Sequence, residues 1–402
     1  MHLAIYAHPF DLAALGSHGG LSRLADLGFR EIAMATSYHD GRWLQPWNPE
    51  ARVRFLEDGT VHFRPGADYG VLRPLASSSV PARGPSPLER LCAEAPKAGL
   101  RVRAWNVCTH NSRLGLLHPE LCIENAFGDR LCYALCPAQP AVQQYVVSMV
   151  HDLAGHEGLA AIELEAFGWM GWKHSSHHDK ASFVPRGLLD YALSLCFCEP
   201  CRTRMQAEDG DPEATRAWAL DQIERAVEHA DAMAPTPVLD GIDARRWDAG
   251  DPATLVAEAA ILPARSARIA TLAALGRAVR QVVPSGLTCA VQVHPQALFT
   301  GSQVPIAQTQ GLRADEHVLT AYGESMDGIR KLLAGETMFL LDDPQHRRRL
   351  CIWPKAPQFT GDADLEQVRD LAAAHGIGAI AIYHLGLLPW RTIERVARVL
   401  TG

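Results

Sequence analysis

The stretch "AAIELEAFGWMGW", Ala160 to Trp172, reads as a β-strand that ends in a carboxylate and runs directly into an aromatic loop. Glu163 and Glu165 are two residues apart, so in extended backbone they share one side while Leu164 points to the other. A carboxylate on the inner side of a strand is costly unless it is paired or lies at a polar mouth. Apolar runs of the same kind recur outward from this one. They are "LAIYAH" (Leu3–His8), "EIAMATSYH" (Glu31–His39), "RVRAWNVCTH" (Arg101–His110), "LTCAVQVHP" (Leu287–Pro295), "HVLTAYG" (His317–Gly323), "RLCIWPKAP" (Arg349–Pro357) and "AIAIYHLG" (Ala379–Gly386). With Ala160–Gly168 as the fourth, the chain has eight.

Helical patterns separate them: "LSRLADLGF", "PLERLCAEAPKAGL", "PAVQQYVVSMVHDLAGH" and an Ala-rich run from Leu272 to Val283. Eight strands alternating with helices point to a parallel sheet closed into a (β/α)8 TIM barrel, one catalytic unit spanning residues 1–402. An open doubly wound sheet is the alternative, but no Gly-rich phosphate fingerprint follows the first strand. Two insertions interrupt the repeat. Residues 44–83 contain "VRFLEDGTVHFRP", two alternating runs around Asp58-Gly59, which predict a rim β-hairpin near Val53–Arg64. Residues 205–262 predict a helical insertion after strand four.

Active sites of such barrels lie at the C-terminal ends of the strands. Those ends carry His8, Tyr38, His39, Asn106, His110, Glu163, Glu165, His294, Tyr322, Lys355, Tyr383 and His384. Glu165, nearer the strand end than Glu163, is the candidate proton donor. Trp169 and Trp172 follow it, and Trp43, Trp47 and Trp105 lie on other mouth segments. Aromatic platforms beside a carboxylate suit pyranose rings, and an apolar wall raises a carboxyl pKa towards general-acid duty. The expected substrate contacts are His39, Asn106, His110, Trp169, Trp172, His294, Tyr322, Lys355 and His384.

The totals exclude other classes. A net charge of −7 and a single short basic cluster, His346–Leu350, argue against nucleic acid. No apolar run reaches the length of a membrane span, and the N-terminus reads as a strand, so a cytoplasmic protein is expected. Ten cysteines without a secretory leader fit reduced thiols better than a disulfide framework. Three of them crowd into "SLCFCEPCRTR", Ser194 to Arg204, where a metal needs a fourth ligand. Cys136, in "YALCPAQP", is the candidate; a redox role for Cys198-x-x-Cys201 lacks a thioredoxin-like context.

From Asn125 to Arg204 the chain resembles the family 42 β-galactosidases and the wider glycoside hydrolase-like (β/α)8 barrels. The resemblance rests on Cys136-Pro137 ahead of a helix, on Glu165-Ala166-Phe167-Gly168 at the strand-four end, and on Cys196-Phe197-Cys198-Glu199-Pro200-Cys201. It implies a structural Zn2+ on Cys136, Cys196, Cys198 and Cys201, Glu165 as acid/base, a carbohydrate or glycoside substrate and a homo-oligomer. The family has Asn before the strand-four Glu, where this chain has Leu164, and a nucleophilic Glu at the end of strand seven, where it offers Lys355. Glu163, Glu324, Asp342 or Asp343 would have to act as the second carboxylate. Two other readings stand beside this one. One is a metal-dependent isomerase, lyase or hydrolase on His39, His110, His294 and His384 with Glu165; "HSSHHDK", His174–Lys180, is a further metal candidate. The other is a barrel that binds carbohydrate without catalysis.

Overall fold

The computed structural model of the chain describes residues 1–173, 180, 185, 187–228, 252–296, 298–334 and 347–402. Eight parallel strands form the barrel: His2–Ala7, Phe29–Tyr38, Arg101–Val107, Leu159–Glu165, Thr288–His294, Glu316–Ala321, Arg347–Ile352 and Ala379–Ile382. Each pairs with its neighbour in sequence order, and the eighth returns to the first, with Leu3 opposite Ile380. Strand seven stops at Ile352, close before Pro354, which has no N–H for a ladder. No helix among the described residues is long and apolar enough to cross a membrane.

The helices around the barrel form for local reasons. Pro87–Glu94 starts with a capping box: Ser86 Oγ accepts the Glu89 N–H at 3.3 Å, and the Glu89 carboxylate accepts the Ser86 N–H at 2.5 Å. The last helix, Trp390–Thr401, buries Ile393, Val396, Ala397 and Leu400 at helical spacing against the barrel wall.

The inside of the barrel is unusual. Strand register puts Ala4, Glu31, Ala33, Arg103, Ala161, Glu163, Ala290, Glu316, Arg349 and Ala379 on the inner side. Barrels of this type are commonly filled with branched aliphatics. Here alanines leave room for two arginines. Arg103 reaches Glu31 at 2.8 Å, Glu163 at 3.3 Å and Glu316 at 3.0 Å, and Arg349 reaches Glu31 at 2.8 Å and Glu316 at 2.5 Å. All five side chains are buried. Tyr6 donates to Glu163 Oε1 from one side and Gln292 Nε2 donates to the same oxygen at 2.8 Å from another.

Two expectations about the insertions need correction. Val53–Leu56 does not pair across Asp58-Gly59; it pairs antiparallel with Gly41–Leu44, so the rim hairpin lies one strand earlier. Asp58-Gly59 does turn the chain, with Gly59 at φ +61°, but it sends Thr60–Val61 back onto Ser37–Tyr38 at the free end of strand two. A turn signal is local, whereas the choice of partner depends on which edge is free. The Ala-rich helix starts well before Leu272: it spans Pro252–Val282, with Pro263 inside it. Glu199–Ala207 and Pro212–Glu228 are the helices before it, and residues 229–251 of the predicted helical insertion lie outside the described residues.

The charge layer predicts a large penalty for breaking it. Arg103→Met leaves three carboxylates without their shared partner and should lower unfolding free energy by about 3–5 kcal/mol in denaturant titrations at pH 7. Burial alone would raise the Glu31 carboxyl, but Arg103 and Arg349 overcome it and hold the group at about 2. Because this pKa lies below the unfolded value of about 4.3, its stabilising contribution is present above that pH and disappears as pH falls towards 2. That acid limb should flatten in the variant.

Candidate active site

Strand four delivers Glu165 to the mouth and then stops abruptly. Ala166 sits in the left-handed region at φ 50°, which turns the chain out of the ladder. Its N–H donates to Ser302 O at 2.7 Å, and its carbonyl accepts from Thr109 Oγ1 at 2.7 Å. The Glu165 carbonyl accepts the Cys108 N–H at 2.8 Å. The loops after strands three and five thus hold the residue from both sides.

The Glu165 side chain is 8% exposed, and Trp105 Nε1–H donates to its Oε2 at 2.5 Å. Trp105 stands on strand three opposite Glu163 in the register, so it faces inward just below Glu165. Burial pushes the Glu165 carboxyl up to about 7; the Glu163 charge adds to this, while hydrogen bonds with Trp105, Ser302 and Gln292 pull it back. A carboxyl with that pKa still holds a transferable proton near neutrality.

An aromatic and imidazole wall adjoins it. Trp105 packs edge-on to Tyr6 at 4.9 Å and Tyr38 at 5.1 Å, and Tyr38 and Tyr383 share a hydroxyl–hydroxyl hydrogen bond of 3.0 Å. His384 lies 6.1 Å from Trp105 and 5.6 Å from His8, ring centre to ring centre, and Trp43 covers both imidazoles. His8 and His384 are fully buried. Burial pushes His384 down to about 3 and, together with the neighbouring histidines, His8 well below the ordinary range, so both rings are neutral. His384 Nδ1 accepts the Gly386 N–H at 3.2 Å, which assigns the ring proton to Nε2. That Nε2, and both ring nitrogens of His8, have no hydrogen-bond partner among the described residues. Asp11 lies 3.6 Å from His384 Nδ1 and accepts the His8 N–H at 2.8 Å; burial pushes its carboxyl up to about 7. Asp11 is a mouth residue that strand-end position does not reveal, although "HPFD" carries a signal for it: a Pro at the first helical position and an acid at the third.

The other expected site residues divide clearly. Glu163 shares the inner side but belongs to the charge layer. Tyr322 joins the wall, 4.5 Å from the Tyr383 ring, with its hydroxyl 3.1 Å from Cys351 Sγ. His39 stacks on His110 at 4.2 Å, and His294 stacks on Phe299 at 3.9 Å. Asn106 is misplaced in the sequence reading: it pairs in register with Leu164, on the outer side, and its amide is taken by Ser37 and Cys108. Trp169 is not the platform beside Glu165 either. Its ring lies under the Arg268 guanidinium at 5.2 Å, in a crevice shared with Cys196 and Cys201, and it is Trp105 that stands against Glu165. Trp172 is half-buried and anchored through its backbone to Ser194 and Tyr133. Glu324 is exposed and folds against Gly328, and Lys355 is exposed over the Trp353 ring at 3.2 Å. Asp342, Asp343 and the His177, His178, Asp179 group lie outside the described residues.

The four cysteines do converge. Cys136 Sγ is 3.5 Å from Cys201, 3.7 Å from Cys196 and 3.6 Å from Cys198, all four are buried, and none is in a disulfide. Bonds of ~2.3 Å in a tetrahedral thiolate site give sulfur–sulfur edges of ~3.8 Å, so the spacing fits a metal. The Glu124 N–H donates to Cys196 Sγ at 3.4 Å, the kind of contact that supports a thiolate. Among the described residues this is the one group of three or more His, Cys, Asp or Glu ligand atoms close enough to share an ion. The strand-end histidines and Glu165 do not assemble into a second.

No protein-family model and no curated protein matches the chain. In fold it is similar to the PgaB glycoside hydrolase domain of Bordetella bronchiseptica, with TM-score 0.56 and 12% identity over 100% of this chain and 99% of that one. The catalytic domain of β-amylase from Paenibacillus polymyxa follows, with TM-score 0.55 and 12% identity over 100% and 98%. The β-galactosidase of Marinomonas ef1 gives TM-score 0.53 and 11% identity, over 100% of this chain and 59% of that larger one. These structural neighbours are glycoside hydrolases on (β/α)8 barrels. At such identities the likeness is one of fold.

The geometry makes the Glu165 proton measurable without any substrate. Carboxyl carbon NMR on Glu-labelled protein should show one glutamate titrating near pH 7. Trp105→Phe removes a donor that stabilises the anion, so the midpoint should move upward; a downward shift would mean the indole bond is not what restrains it.

Proposed function

We propose that the chain is a glycosidase-like enzyme that cleaves a glycosidic bond in a carbohydrate or glycoconjugate, with Glu165 as proton donor. The observation that carries this reading is a buried carboxyl at the strand-four end, bonded to Trp105, whose pKa burial pushes up to about 7. In the step envisaged, the Glu165 proton passes to the glycosidic oxygen as the bond to the anomeric carbon breaks and its electron pair leaves with that oxygen; a water oxygen bonds to the anomeric carbon and releases its proton to solvent, from which Glu165 is reprotonated. Trp105, Tyr38 and Tyr383 provide faces for a sugar ring. His384 Nε2–H supplies a neutral donor for a substrate hydroxyl, and Asp11 steadies the strand-one loop beside it. The strand-four motif and the thiol cluster resemble those of the family 42 β-galactosidases, and the fold neighbours are glycoside hydrolases. The strand-seven end, with Trp353 and Lys355 in place of a carboxylate, departs from the retaining pattern of that family.

The cysteine cluster supports a structural zinc. Four thiolates at tetrahedral spacing are a soft, closed set with no open position for substrate. When bound, the ion cross-links the segment before helix Pro140–Ala154 to the start of helix Glu199–Ala207. Metal analysis should find one zinc per chain. Cys198→Ser should lower zinc content and melting temperature together.

The decisive test of catalysis is Glu165→Gln on a panel of glycosides. The amide keeps the shape and cannot deliver a proton, so kcat should fall by about 10²-fold or more with little change in KM. Wild-type kcat should decline as pH rises through about 7, where the acid loses its proton. The folded pKa is raised above the unfolded value, so ionising Glu165 destabilises the fold between about pH 4.3 and 7. Glu165→Gln should therefore melt no lower than wild type at pH 8, whereas Glu163→Gln, cut out of the charge layer, should melt lower. Unchanged turnover in Glu165→Gln would overturn the reading.

A further inference from the structure

The geometry points to an anion-binding subsite beside the mouth, and hence to a glycoside that carries an acidic group such as a carboxylate, sulfate or phosphate. This rests on the glycosidase reading above and names its substrate class. A cavity of 310 Å³ opens between the loop after strand seven, the loop after strand eight and the first turns of helices Asp362–Ala374 and Trp390–Thr401. Its lining includes the apolar side chains of Phe359, Leu387 and Pro389 and two cations, Lys355 and Arg395; no Asp or Glu lines it.

The cations differ. Arg395 is paired with Asp362, as other nearby basic side chains are paired: Arg398 with Asp362 and Arg369 with Asp370. The Lys355 ammonium has no carboxylate within 4 Å among the described residues and rests 3.2 Å over the Trp353 ring. The same ring offers a second donor: Trp353 Nε1 is buried and lacks a hydrogen-bond partner among the described residues. A buried N–H without an acceptor costs free energy that an oxygen arriving there recovers. An ammonium and an indole ring on the wall of one cavity, with no Asp or Glu in its lining, suit an anionic oxygen. Barrels of this type frequently bind phosphate between these same two loops.

The cavity shares Trp353 with the aromatic wall that leads to Glu165. Trp353 packs 5.4 Å from Tyr383, whose hydroxyl bonds Tyr38, and both tyrosines lie close enough to feel the Glu165 charge. A substrate stacked on Tyr383 can therefore place a substituent over Trp353. The strand-seven end attracts an acidic group that a carboxylate in that place would repel.

The test uses matched pairs of 4-nitrophenyl glycosides on the full chain: glucoside against glucuronide, and galactoside against its 6-phosphate. Wild type should prefer the acidic member of a pair, chiefly through KM. Lys355→Met should reduce that preference, as a ratio of kcat/KM values, by about 10-fold, and Lys355→Glu should reverse it. Equal use of both members by wild type, or a preference that survives in Lys355→Met, overturns the subsite while leaving the glycosidase reading intact; that reading fails separately if Glu165→Gln retains turnover. Thermal shifts with inorganic phosphate, against chloride at matched ionic strength, decide the matter if no glycoside is turned over. Stabilisation of wild type that is lost in Lys355→Met supports the subsite, and no shift or an equal shift in both overturns it.

Discussion

The structure depends on a charge layer at the centre of the barrel. Closing eight strands creates an interior that has to be filled, and this chain fills part of it with Arg103, Arg349, Glu31, Glu163 and Glu316. Buried charges are tolerable only when every one has partners, because removing water from an ion costs several kcal/mol before any attraction is counted. The layer meets this condition by sharing: each arginine binds at least two carboxylates, and Tyr6 and Gln292 take up Glu163 from above. Replacing a buried ion network by apolar residues of similar volume is often neutral or stabilising, so the layer is not by itself a source of stability. It does restrict geometry, since a slip of one strand by one residue would put an ion on the outside.

That restriction sets the environment of Glu165. Two carboxylates stand two residues apart on one side of one strand, yet their surroundings are unlike. Glu163 meets a guanidinium, a phenol and an amide, all fixed by the layer. Glu165, one step higher, has an indole N–H and a largely apolar wall, and burial dominates its protonation. The difference between a carboxylate held in the charge layer and one whose pKa burial raises follows from depth along the strand and not from any difference in residue type. The buried, neutral imidazoles of His8 and His384 extend the same logic: they add hydrogen-bonding capacity to the mouth without adding charge.

Much of the architecture was legible because it is written in local patterns. Eight apolar runs separated by helical periodicity define the barrel, and all eight appear as strands, trimmed where polar or Pro-containing ends leave the ladder. The cysteine set was legible too, because three thiols within six residues need a fourth, and Cys136 lies where a helix can bring it. The assignment of facing residues was weaker. Asn106 and Trp169 looked like mouth residues by position in the chain, and each is turned away by a register or a packing contact that no local pattern carries.

The sequence by itself determined the period, the number of strands, the carboxylate at the end of the fourth and the thiol spacing, since each depends on residues within one or two turns of chain. Only the tertiary structure decided that Trp105 rather than Trp169 stands against Glu165, and that Val53–Leu56 pairs with Gly41–Leu44. It alone placed Asp11 beside His384 and opened the cavity between the last two loops under Lys355. These relations join residues far apart in sequence. They are set by register and by closure of the barrel, where the energy of one contact depends on all the strands between.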